Sequence, residues 1–212
     1  MSSHPLRRHL VLAGDSTIDN AAYVPPGQDV TTLLQGLAGT ARVTSIARDG
    51  GLAGQTADRL SWLPADATHL FLSVGGNDAL LNLDLLQQPV GSVGEALATM
   101  QPVLARFRED YARLLAVVAR RRLSVAVATI YAPWFPDAGH RLAVEMALPL
   151  FNEAILAEAF RHGCSLIDLR LVFDRPTDFA HQIEPSAEGG AKLAAAVARW
   201  AASDGEGVRV FA

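Results

Sequence analysis

The chain has 212 residues, 50% hydrophobic and 19% charged, a balance that excludes a disordered protein and suffices for one sizeable core. Its net charge of −4 and pI near 5.8 leave no electrostatic footprint for nucleic acid, and no apolar run approaches the roughly 18 residues that a bilayer span needs. A single cysteine, Cys164, excludes an intrachain disulfide and a cysteine-based metal site.

His9 to Ala13 is a short, mostly apolar run ending at a glycine, which suits a buried strand. Gly14-Asp15-Ser16 follows at once. Ser16 therefore stands where a strand of an α/β sheet ends, the edge at which ligands and catalytic groups collect, although all three residues also suit an ordinary turn. Arg7-Arg8 ahead of Leu10 has the look of a signal-peptide start, but the apolar run is short and leads into Gly14-Asp15-Ser16 rather than a cleavage site. A cytoplasmic protein is expected. Thr17 to Asp29, rich in Asp, Asn, Pro and Gly, reads as a loop. Val30 to Leu37 reads as a short helix, Ala41 to Ala47 as a second strand, Gly50 to Gly54 as a flexible turn, and Gln55 to Leu63 as a helix ended before Pro64.

Thr68 to Val74 is the clearest buried strand and stops at Gly75-Gly76-Asn77-Asp78. A long helical region follows, with Phe107, Tyr111, Leu114, Leu115 and Val118 at helical spacing; Arg120-Arg121-Arg122 falls at its end, where it complements the helix dipole. Ser124 to Tyr131 is a fourth strand, Ala132 to Gly139 an aromatic, proline-containing loop, and Arg141 to Arg161 a helix with a break or kink expected at Pro149. Cys164 to Leu169 is a fifth strand, Arg170 to Glu184 a long connection, and Ser186 an N-cap for a last helix through Trp200. Strands alternating with helices at this spacing imply one domain, residues 1–212, with a parallel sheet covered on both faces.

Three polar, glycine-bearing turns then follow three successive strands: Ser16, the Gly50–Gly54 turn, and Gly75-Gly76-Asn77-Asp78. In a parallel sheet they share one edge. A serine, a backbone amide at a glycine and an asparagine amide are a nucleophile and two oxyanion donors. No GxGxxG or Walker pattern supports a nucleotide site.

This set resembles the SGNH, or GDSL-type, hydrolases over nearly the whole chain. Gly14-Asp15-Ser16 is similar to that family's first block, which carries the nucleophile. Gly51-Leu52-Ala53-Gly54 resembles the second, making Gly54 the expected amide donor, and Gly75-Gly76-Asn77-Asp78 the third, making Asn77 the side-chain donor. The resemblance implies a flavodoxin-like three-layer α/β/α sandwich with a five-stranded parallel sheet. It also implies metal- and cofactor-free hydrolysis of small-molecule acyl esters or thioesters.

Two departures stand out. Ala47-Arg48-Asp49-Gly50 replaces the asparagine that usually precedes the second-block glycine. The family's last block, Asp-x-x-His followed by Pro-Ser, is split here. Asp178-Phe179-Ala180-His181 makes His181 the base and Asp178 its orienting acid, yet Pro185-Ser186 follows Glu184. Aligned on Pro-Ser, Glu184 takes the histidine's place and His181 the aspartate's. Three of the six histidines have an aspartate three residues earlier, so the spacing alone does not choose. His69 opens a strand at the edge far from Ser16; His140 follows the fourth strand on the correct edge and is a further candidate. The alternative to a serine esterase is a ligand-binding protein of the same fold with impaired hydrolysis.

Overall fold

The computed structural model describes residues 8–39, 41–203 and 209–211, so Arg7 lies outside it. The first strand, β1 (His9–Gly14), is buried along its full length. It is followed by α1 (Val30–Leu37), β2 (Arg42–Ser45), α2 (Ala53–Arg59), β3 (His69–Ser73), α3 (Gly76–Leu80) and α4 (Val93–Ala119). β4 (Ser124–Ala128), α5 (Ala138–Arg161), β5 (Ser165–Ile167), α6 (Leu169–Val172), α7 (Ala187–Ala202) and β6 (Val210–Phe211) complete the order.

All strand pairs are parallel, in the order β2-β1-β3-β4-β5-β6. Side chains alternate across each strand, so the buried strands supply two cores. Val11, Ala13, Leu70, Leu72 and Val127 meet residues of α2, α4 and α5 on one face. Leu10, Leu12, Phe71, Ala126 and Ile167 meet α1 and α7 on the other. This is the flavodoxin-like three-layer sandwich, and its strand order reverses between β1 and β3, where doubly wound folds place their ligands.

The expected elements are present, with three differences. The sheet has six strands rather than five: β6 is two residues long, too short for any periodicity, and exists only by pairing with β5. α5 runs through Pro149 without a break, because its neighbours hold it on both sides of the proline: Leu148 and Phe151 are buried in the core. The 170–184 connection contains part of α6 and a 3₁₀ turn at Pro176–Asp178. Ser186 caps α7 as expected, its Oγ accepting from the Gly189 N–H at 3.1 Å.

Candidate active site

β1 and β3 end pressed together. Gly14 sits at φ +146°, and a Cβ there would lie 1.8 Å from the Ser73 carbonyl oxygen, so only glycine fits. The chain then turns tightly: the Asp15 N–H donates to the Ser73 carbonyl at 3.1 Å, and the Asp15 carbonyl accepts from Ile18 and Asp19. Ser16 is lifted onto the sheet's carboxyl edge with 8% of its surface exposed. It lines a pocket of about 610 Å3, open mouth included. Asn77 lines the same pocket from α3, and the rest of the wall is mostly apolar: Leu80, Leu83, Ile130, Val144 and Leu148.

Asp15 is structural, as its turn position suggests. Its carboxylate accepts from the Thr17 N–H at 3.0 Å, and burial pushes its pKa up to about 6, with the nearby Asp78 charge adding to the rise. A carboxyl whose folded pKa lies above its unfolded 3.8 loses stability as pH rises between these values. The penalty is absent below about pH 3, small at pH 4 and complete near pH 8, where two units correspond to about 3 kcal/mol. Asp15→Asn keeps an acceptor for Thr17. Relative to wild type, its melting temperature is expected to rise between pH 4 and pH 8; a difference that stays flat over that range would show Asp15 ionising normally.

The second and third turns are tied to each other by Asn77 and Asp78. Asn77 Nδ2 donates to the Gly51 carbonyl at 3.1 Å, which leaves the amide's other N–H unused by that bond. Asp78 Oδ2 accepts from the Ala53 N–H at 3.0 Å, and burial holds its pKa above the ordinary carboxylate range. Gly54 is the second residue of α2, where no intrahelical carbonyl reaches its N–H. It lines a different groove, between α2 and α4, and a Cβ there would meet Arg113 and Asp110. The turn's closest approach to β1 is instead at Gly51, where a Cβ would lie 2.9 Å from the Gly14 carbonyl oxygen. That role of Gly51 escaped the sequence reading, although Gly50-Gly51 pairs two glycines where one would make a turn.

The expected acid–base pair is not assembled. Asp178 is 0% exposed. Its Oδ2 accepts from the backbone N–H groups of Asp174 and Arg175, both at 2.9 Å, and from Lys192 Nζ at 2.9 Å. Its carbonyl accepts from the Ser186 N–H at 2.8 Å. α7 packs so closely here that a Cβ on Gly189 would be 2.2 Å from that same oxygen. Asp178 thus anchors the start of α7, with the chain's only lysine as its counter-ion. The His181 side chain is exposed, its ring edge-on to Tyr23 at 5.9 Å. Among the described residues no hydrogen bond joins His181 to Asp178 or to Ser16.

Glu184 is placed differently. Its carbonyl accepts from the Ala180 N–H at 2.9 Å. The carbonyls on either side are also held: Ile183 by the Tyr131 hydroxyl at 2.7 Å and Pro185 by Asn20 Nδ2 at 3.0 Å. Tyr131 ends at the Ser16 pocket and Asn20 lies on the loop after β1, so the fold ties the backbone around Glu184 to the Ser16 turn. His181 and Glu184 share a neighbour in Tyr23. A hydrogen bond to Asp49, partial burial and the charges of Asp49, Glu184 and Asp19 push the Tyr23 phenol up to about 12. His140 lies in the first turn of α5, its backbone on the Asp137 cap at 2.7 Å and its ring against Phe135 at 5.0 Å. Its side chain does not join Ser16. Tyr131 and Phe135 are buried, whereas Trp134 is exposed and stacks with Arg141 at 4.9 Å.

No protein-family model and no curated protein matches this sequence. Solved structures do. LAE5, an α/β hydrolase enzyme from the metagenome of Lake Arreo, is 18% identical with a TM-score of 0.68, over 92% of this chain and 94% of that one. Phospholipase A1 from Streptomyces albidoflavus NA297 is 16% identical with a TM-score of 0.68, over 88% and 95%. A member of the lipolytic G-D-S-L family from Veillonella parvula DSM 2008 is 17% identical with a TM-score of 0.62, over 89% and 94%. The fold of this chain is that of the GDSL-type, or SGNH, hydrolases. Among the described residues no helix is long and apolar enough to cross a membrane.

Proposed function

We propose that this protein is a serine esterase that transfers the acyl group of a small-molecule ester to water. The observation that carries the reading is the placement of Ser16 and Asn77 on one mostly apolar pocket at the β1/β3 switch point. Ser16 Oγ attacks the ester carbonyl, and the alkoxide that forms is held by the Ser16 N–H and the Asn77 amide. His181 is the base: a neutral imidazole is the one side chain that both accepts a proton readily and is unprotonated near neutrality. The reaction needs no metal or cofactor, because the serine and the oxyanion donors carry the charge changes.

A fluorophosphonate probe tests this directly, since it phosphonylates only an activated serine. Labelling is expected at Ser16. Asn77→Ala should lower kcat on p-nitrophenyl esters by roughly 10²–10³ with a smaller change in KM, because the oxyanion exists only beyond the ground state. A rise in KM alone would make Asn77 a binding residue.

The separation of His181 from Ser16 favours one other reading, a ligand-binding protein of the same fold with impaired turnover. Wild-type protein that leaves the probe unreacted and the esters intact would establish it.

A further inference from the structure

Beside the Ser16 pocket lies a second, smaller apolar groove, open to solvent at its mouth. Four side chains, Ala79, Leu83, Val144 and Leu148, line both. Ser16 and Asn77 border only the first, whereas Met100, Ala147 and Phe151 border only the second. The two spaces therefore adjoin, separated by a partition of apolar side chains. Val144, Leu148 and Phe151 recur at helical spacing on one face of α5, so the two together follow that helix for roughly 10 Å.

The far cavity's chemistry restricts what can enter. Its sole polar side chain is Asn82, whose Nδ2 already donates to the Asp78 carbonyl at 2.8 Å. A hydroxylated, charged or sugar-bearing group would be stripped of water there with little to replace it. A plain hydrocarbon chain loses nothing.

We infer that the two cavities form one acyl channel for unsubstituted straight chains, with Leu83 and Leu148 as its length-determining partition and Met100 and Phe151 as its floor. The inference rests on the ester reading above: the carbonyl carbon sits at Ser16, and the chain runs away from the strand ends between α3 and α5. Each methylene that leaves water for the channel should tighten binding roughly fourfold. A short chain occupies only the first cavity; a longer one must displace the ends of the two leucines, which are flexible side chains rather than backbone.

The test uses Ser16→Ala protein, which cannot turn over, and calorimetric titration with methyl butanoate, hexanoate, octanoate and decanoate. Affinity is expected to climb through the series. Adding Ala147→Phe fills the far cavity alone, so butanoate binding should be unchanged while the gain at octanoate and decanoate disappears. Adding Leu83→Ala opens the partition at a half-exposed position and should raise the affinity for decanoate about tenfold relative to that for butanoate. Length profiles that coincide in all three proteins, or an affinity independent of chain length, would overturn the channel. Failure of the esterase reading has a separate signature, an unlabelled Ser16 in wild-type protein whose chain-length profile is intact.

Discussion

Ser16→Ala is expected to lose at least about 10³-fold in kcat/KM on short-chain p-nitrophenyl esters while melting within about a degree of wild type. Both halves of this expectation come from the geometry. Among the described residues the Ser16 hydroxyl has no hydrogen-bond partner, so its removal leaves no buried group unpaired. The turn that presents it is held by backbone bonds from Asp15, Ile18 and Asp19 and by the Asp15 carboxylate on the Thr17 N–H. Alanine occupies the same backbone conformation with one atom fewer. The chemical half is larger because without the nucleophile only solvent water remains to attack the carbonyl, aided by the oxyanion donors. Stopped-assay rates and a thermal melt on the same preparation check both. Activity within tenfold of wild type would remove Ser16 from the mechanism.

The second large effect separates three residues that one motif would have joined. His181→Gln should cost about 10³-fold, the scale of losing a triad member, with the melting temperature unmoved because its side chain is exposed. Glu184→Gln should cost less than tenfold, since an ordinary carboxylate is far too weak a base at neutral pH to replace an imidazole. Asp178→Asn should do the reverse of a triad acid. It leaves Lys192 paired with Asp174 but removes the charge of a fully buried carboxylate to which two backbone N–H groups donate, and weakening charge-assisted bonds of this kind costs about 1.5–3 kcal/mol of stability. The kcat of its folded fraction should stay within a few-fold of wild type. If Glu184→Gln inactivates and His181→Gln does not, the base is Glu184, whose flanking carbonyls are the ones held by Tyr131 and Asn20. If Asp178→Asn abolishes kcat without lowering the melting temperature, Asp178 is catalytic after all.

Much of this was legible in the chain by itself. The apolar run His9–Ala13, the run Thr68–Val74 and the helical spacing from Phe107 to Val118 are local patterns, and local burial periodicity dictates strand and helix wherever a face must be hidden. Ser16 and Asn77 could be assigned to one edge before any coordinates, because parallel strands necessarily send their following turns to the same side. Asp15 was legible as a turn carboxylate for the same local reason. Partners distant in sequence were not legible. Asp178 stands three residues before His181, yet its charge is claimed by Lys192, fourteen positions on, because α7 packs back over the turn at Gly189. Gly54 and Gly51 are three residues apart, and only the approach of α2 to β1 decides which of them must lack a side chain. β6 escaped notice because two residues carry no period; its pairing with β5 is what makes it a strand. The sequence alone determined the layers, the strand ends and the place of Ser16 among them. Which carboxylate stands near which base was decided by tertiary packing, since a side chain's partner is set by competition among all the groups the fold brings within reach.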